Sequence, residues 1–174
     1  MSTEPFHTLA AQLGAALSAR GWQVATAESC TGGGIASAIT AIPGSSAWFE
    51  CGIVSYSNEI KQQLLSVPVS YFAEEGGVGA VSEETVLAMA QGVLSLAGAN
   101  CSVAVSGIAG PDGGSPAKPV GTVWIGWAWE REHQGQLIAS KARKFHFEGT
   151  RQQVRAQSTE AALAGLVELV NTEQ

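Results

Sequence analysis

The chain is predicted to form an α/β domain, a three-layer α/β/α sandwich with a mixed sheet. Three observations lead there. Segments with a helical apolar period alternate with short strand-like apolar runs along the chain, the pattern of a sheet covered by helices. The last two strand-like runs are separated only by a short polar stretch, residues 130–135, which points to a hairpin and hence to antiparallel pairing beside the parallel strands. At 174 residues and 45% hydrophobic content, with no repeat, linker or low-complexity segment, residues 1–174 fit a single domain with one real core.

The elements follow in order. Thr3 is placed to cap a first helix, with Pro5 just inside it, Leu9, Leu13 and Leu17 along one face and Gly21 at its end. Residues 22–27 read as a buried strand, and residues 32–41 as a helix that Pro43 and Gly44 terminate. Residues 49–56 are strand-like. Ser57 or Asn58 caps the next helix, which reaches about residue 66 before Pro68. Ser82, Glu83 and Glu84 open a helix whose apolar stripe is Val86, Met89, Ala90, Val93 and Leu94. Residues 102–106 form a strand and residues 107–119 a Gly/Pro-rich loop. Residues 122–129 and 136–147 are the hairpin strands, with Trp127 and Trp129 on one face and Trp124 on the other. Thr150 caps a long last helix with Val154, Leu163, Leu166 and Leu169 as its apolar positions.

Composition narrows the function. A net charge of −6 with nine Lys plus Arg argues against a nucleic-acid partner, which needs a basic face. It leaves a phosphorylated small molecule open, since one or two arginines suffice to bind one. The N-terminus has no basic leader and no run of about 20 apolar residues exists, so neither secretion nor membrane insertion is expected and a cytoplasmic location is. Cys30, Cys51 and Cys101 lack metal-site spacing, and His7, His133 and His146 are scattered. Reduced thiols are expected, with no metal and no cofactor.

Four segments could carry chemistry. In the first, residues 26–34, a strand hands over to a helix through Ser29, Cys30, Thr31, Gly32, Gly33 and Gly34. Amides at a helix start are unpaired, and glycines let a ligand approach them, so Thr31, Gly32 and Gly33 are candidate oxyanion or anion donors beside a nucleophilic Ser29. A hydroxyl capping a Gly-rich turn is the plainer reading, and Cys30 is a competing nucleophile. In the second, Lys61 falls in the first turn of its helix, where the positive helix end should lower its pKa and fit it as a base. Tyr56, just before that helix, could relay a proton or hold an amide. Ser46, at the earlier turn formed with Gly44 and Ser45, is a rival hydroxyl. In the third, Ser106, Gly107 and Gly110 begin a shaped loop at a strand's C-terminal end, where open α/β sheets bind ligands. In the fourth, Arg151 and Arg155 share one face of a helix start, a combination suited to a phosphate, or equally to ordinary ion pairs.

The words TAESCTGG, GSSAWFECGIVSYSNEIK, AVSEETV, SGIAGPDGG with KPVGTVW, and FEGTRQQVR occur in this order over about residues 5–170. Together they resemble the signatures of the CinA C-terminal-domain family, in the stand-alone form that lacks the N-terminal domain of longer members. The resemblance implies a nicotinamide-nucleotide amidohydrolase, converting nicotinamide mononucleotide to nicotinic acid mononucleotide and ammonia by a metal-free Ser/Lys mechanism. It matches Ser29, Lys61 and Tyr56 to the family's serine, lysine and tyrosine, and Ser46 to the serine of its GSS turn. Ser29 ranks above Ser46 because its glycine neighbours supply an oxyanion hole, although the choice between them stays open. One departure is visible: residues 67–81 are longer and richer in Gly than the family's pattern, and Gly79 stands where a His is common.

A homo-oligomer acting on a small nucleotide, with no nucleic-acid or membrane partner, is the resulting expectation. A non-catalytic nucleotide-binding module, acting through a protein partner in DNA uptake or repair, is the alternative from another class. An amidase for a different nicotinamide-like ligand is the nearer rival.

Overall fold

The computed structural model describes residues 4–130 and 138–172. Helix α1, Glu4–Arg20, leads into strand β1, Val24–Glu28, then α2, Gly34–Thr40, and β2, Phe49–Val54. Helices α3, Asn58–Leu65, and α4, Glu83–Ala97, precede β3, Cys101–Gly107, β4, Thr122–Glu130, and β5, Ile138–His146, and α5, Arg151–Thr172, ends the chain. The expected capping Thr3 and residues 131–137, which hold most of the expected hairpin connection, lie outside the described residues.

The five strands run in the order β2-β1-β3-β4-β5. β1 is parallel to both β2 and β3, whereas β4 is antiparallel to β3 and β5 to β4. The sheet is therefore mixed, as the short last connection required. Its interior strand β1, between β2 and β3, is buried at every residue, which explains why Val24, Ala25 and Ala27 are apolar on both faces. β1 begins two residues later than its apolar run does, because the amide of Trp22 closes the end of α1 on Leu17 O at 3.0 Å.

Helices cover both faces. On one, Leu13, Leu17, Ile35, Ile39, Leu163 and Leu166 pack against Val24, Val103, Ile125 and Trp127, so α1, α2 and α5 share that layer. On the other, Leu65, Met89, Val93 and Leu94 from α3 and α4 meet Ala25, Ala27, Ala104 and Ala128. This second sheet face is built from small side chains, which brings α4 close. A Cβ at Gly126 would stand 2.8 Å from Val86 O, so Gly126 is required by that approach.

Helix starts follow the expected caps. Ser57, not Asn58, caps α3, its Oγ accepting from the Ile60 amide at 3.2 Å. Ser82 accepts from Thr85 in the same way, and Thr150 and Gln153 exchange side-chain and backbone bonds at the start of α5. The Gly-rich departure at residues 67–81 holds a 3-10 turn, Val69–Phe72, and is tied down at Gly79. The Gly79 amide donates to Tyr71 O, its carbonyl accepts from Ser82 and Thr85, and its φ of +80° suits glycine and disfavours the family's His.

This topology gathers four segments at one end of the sheet. The C-terminal ends of β1, β2 and β3 lie together, with Glu28 in register with both Val54 and Val105. Antiparallel β4 starts there, β5 ends there, and α5 follows immediately.

Candidate active site

Side-chain alternation divides the residues at this end. Ala25 and Ala27 of β1, Ile53 of β2 and Ala104 of β3 face α3 and α4. The next residues in that phase are Ser29, Ser55 and Ser106, which places three hydroxyl-bearing residues side by side on the same face. Glu28 falls in the opposite phase, toward α2.

Lys61 is brought to Ser29 from α3. It is 1% exposed and shares the inward face of the helix with Leu65. Its Nζ donates to Ser29 Oγ at 3.1 Å, to Ser55 O at 2.7 Å and to Tyr56 O at 3.1 Å. A neutral amine has two N–H groups and one lone pair. If the two carbonyls take the two N–H groups, the lone pair is left facing the Ser29 hydroxyl proton. Burial lowers the Lys61 pKa from 10.5 to about 8, against a smaller opposing influence from the neighbouring Cys30 thiol. The helix start was the expected cause; removal from water is the one found.

Ser29 is 9% exposed, and its amide donates to Val105 O at 3.0 Å, which anchors it to β3. Cys30, the competing nucleophile, is buried, and burial raises its thiol to about 11, so at neutral pH it stays protonated and inert. The expected donors of the turn are largely engaged within the protein. The Gly32 amide bonds to Ser29 O at 3.0 Å and the Gly33 amide to Glu28 Oε2 at 3.1 Å. Thr31 donates its hydroxyl to Glu28 and lends its carbonyl to Arg155. Among the described residues, the amides of Cys30 and Thr31 donate to no group of another residue. The open donors therefore sit one and two residues after Ser29.

The last helix closes the site from the other side. Arg151 donates to Gly110 O at 2.8 Å and to the Tyr56 hydroxyl at 3.2 Å, and Arg155 donates to Thr31 O at 3.0 Å. Arg151, Tyr56 and the 107–119 loop are thus one connected set, although 95 residues separate Arg151 from Tyr56. Ser106 is buried and level with Ser29, and Gly107 ends its strand. The peptide bond between Gly110 and Pro111 is cis.

Ser46 is not part of this cluster. It is exposed, in the 3-10 turn Ser45–Ala47 that leads into β2, whereas Ser55 and Lys61 follow β2. The six residues of β2 put it about 20 Å from the Ser29 end of the sheet, at ~3.3 Å per residue. Two residues that sequence reasoning passed over stand at the site. Ser55 supplies the shortest acceptor to Lys61, and Glu28 holds the turn. A signal for Lys61 itself was available: it is a lysine four residues before a core leucine, on the face where the helix needs an apolar residue.

Among the described residues, no group of three His, Cys, Asp or Glu side chains could hold a metal ion, and no helix is long and apolar enough to cross a membrane.

Residues 6–170 match the model of the CinA C-terminal domain. The nicotinamide-nucleotide amidohydrolase PncC of Pseudomonas putida is 55% identical over 166 residues, 95% of this chain and 98% of that protein. The protein of the same name from Escherichia coli K12 is 51% identical, over 95% of both chains. Among solved structures, competence damage-inducible protein A (ComA) from Klebsiella pneumoniae superposes with a TM-score of 0.86 at 40% identity, covering 97% of this chain and 99% of that one. The competence/damage inducible protein CihA from Agrobacterium tumefaciens does so with a TM-score of 0.84 at 37% identity, covering 97% and 96%.

Proposed function

Because the chain belongs to the CinA C-terminal domain family, we propose that it hydrolyses the carboxamide of nicotinamide mononucleotide, giving nicotinic acid mononucleotide and ammonia. The observation that carries the chemistry is the Lys61 Nζ–Ser29 Oγ contact of 3.1 Å in a buried setting. The substrate class follows from relatives at 51–55% identity whose names specify it.

Neutral Lys61 takes the Ser29 hydroxyl proton as Oγ bonds to the carboxamide carbon. The oxyanion so formed meets the free amides of Cys30 and Thr31. On collapse the C–N bond breaks, and Lys61 returns the proton to the leaving nitrogen, which departs as ammonia. Water then attacks the acyl ester and Lys61 accepts its proton. As the acyl C–O bond breaks, Lys61 gives that proton to Ser29 Oγ, which regenerates the serine, and the product acid ionises as it leaves. Tyr56 and Arg151 border the substrate, and Arg151 and Arg155 supply the positive charge for its phosphate.

The test is ammonia release from nicotinamide mononucleotide, its dephosphorylated riboside and free nicotinamide. Turnover of the mononucleotide with strong discrimination against the other two is expected. Purified protein that releases no ammonia from the mononucleotide refutes the activity. Arg151→Gln and Arg155→Gln should each raise KM for the mononucleotide by about tenfold or more, the size of a lost hydrogen bond to a charged group, with a smaller effect for free nicotinamide. Equal effects on both substrates would remove the phosphate-binding role.

The acylation rate should depend on pH with a definite sign. Since the neutral amine is the active form, kcat/KM should rise tenfold per unit at low pH and level off above a pKa near 8. A profile that falls as the pH rises through 8 would contradict a lysine base. Mutual placement of Ser29, Lys61 and the free amides favours catalysis over a non-catalytic nucleotide-binding module.

A further inference from the structure

We infer that Glu28 is a positioning residue, whose carboxylate sets the Ser29 turn and determines which amides remain open to an oxyanion. This rests on the reading of Ser29 as the nucleophile. Glu28 is 1% exposed and ends β1, directly before Ser29. Its Oε2 accepts from Thr31 Oγ1 at 2.6 Å, from the Gly33 amide at 3.1 Å and from the Ile35 amide at 3.0 Å. Its Oε1 accepts from the Ala36 amide at 2.8 Å. Every one of these partners is a donor, which suits a group that only accepts.

The effect is a reversal of the usual cap. Gly33, at the N-cap of α2, contributes no side chain, so the helix is capped by a residue from the preceding strand. Glu28 thereby fixes residues 31–36 relative to the backbone that carries Ser29. With Gly33, Ile35 and Ala36 engaged by Glu28 and Gly32 bonded to Ser29 O, the amides of Cys30 and Thr31 are left open beside the nucleophile. The start of α2 is correspondingly closed to the substrate phosphate, leaving that role to the arginines of α5.

Glu28→Gln keeps shape, but with its oxygen at the Oε2 position it turns an NH2 toward the Ala36 amide, and in the flipped orientation toward the Thr31 hydroxyl and the Gly33 and Ile35 amides, so one donor–donor clash is unavoidable and the turn must shift. The turn positions both nucleophile and oxyanion donors, and displacement near 1 Å is worth about a hundredfold in rate, so kcat should fall about a hundredfold. KM should change by less than kcat, because the groups read on the ribose phosphate lie on α5, where Arg151 is held by Gly110 O and Arg155 alone of the two rests on Thr31 O. The pH–rate limb near 8 should stay in place, because burial governs Lys61. Thr31→Val, which removes one donor to Glu28, should lower kcat about tenfold, and Thr31→Ser should restore it.

Kinetics should be referred to folded protein, measured by near-ultraviolet circular dichroism, and paired with the rate at which a fluorophosphonate labels Ser29. A kcat per folded molecule in Glu28→Gln within threefold of wild type, with unchanged labelling, would overturn the positioning role. If Glu28→Gln does not fold, the Thr31 pair decides: a fully active Thr31→Val, or a Thr31→Ser no better than Thr31→Val, overturns it. Wild-type protein that shows no label at Ser29 would remove the nucleophile assignment itself, a result distinct from a failure of the Glu28 variants.

Discussion

Lys61→Met should lower kcat about a thousandfold or more, within the range that general acid–base groups contribute, while leaving the fold in place. Methionine matches the lysine stem in length and fills the same buried volume, so packing against Leu65 is kept. What it lacks is the nitrogen 3.1 Å from Ser29 Oγ, and with it both the base for acylation and the acid for departing ammonia. Ammonia release from nicotinamide mononucleotide measures the first part. Turnover within tenfold of wild type would remove Lys61 from the chemistry.

A second consequence of the same burial lies in stability. In the unfolded chain the amine has its ordinary pKa of 10.5; in the folded protein the value is about 8. Between these values the unfolded state binds more protons than the folded state, so stability rises with pH. The slope approaches ~1.4 kcal/mol per pH unit, one proton's worth. Below pH 8 both states are protonated and the cost of the buried charge is present in full. Lys61→Met removes the ionisable group, so urea denaturation between pH 8 and 10.5 should show this component of the rise in wild type and not in the variant. An identical pH dependence in both proteins would mean that Lys61 is not held at a lowered pKa.

The legible parts of the structure were those set by local pattern. The alternation of elements, the late hairpin, the caps at Ser82 and Thr150 and the helix breaks at Gly21 and Pro43 all follow from residues a few positions apart. The Ser29 turn, Lys61, and the arginines of α5 were also identifiable as separate segments, and the sheet topology brings their ends together. Contacts across that topology were not legible. The Lys61 pKa is lowered by burial, a property of the assembled fold that the sequence of α3 does not display. The capping of α2 by Glu28 was hidden because a cap is sought next to the helix start, and this one comes from five residues before Gly33, in the preceding strand. The partners of the turn amides were not legible for the same reason: Gly32 and Gly33 read as free along the sequence, and their acceptors, Ser29 O and the Glu28 carboxylate, appear only in the fold.

Ser29→Ala should abolish turnover, with a loss of about four orders of magnitude or more, whereas Ser46→Ala should leave it within about threefold of wild type. The difference follows from strand direction. Ser46 precedes β2, Lys61 follows it, and β1 is parallel to β2, so a residue before β2 must lie a strand length from one that follows β1. Alanine at position 29 removes the only hydroxyl that Lys61 Nζ contacts among its three acceptors and leaves the two carbonyls in place, so the fold should persist. A single-turnover experiment sharpens the comparison: wild-type protein should release ammonia ahead of the acid product, and Ser29→Ala should show neither phase. Full activity in Ser29→Ala together with loss in Ser46→Ala would reverse the assignment, and would require Ser46 to enter the site from a second copy of the chain.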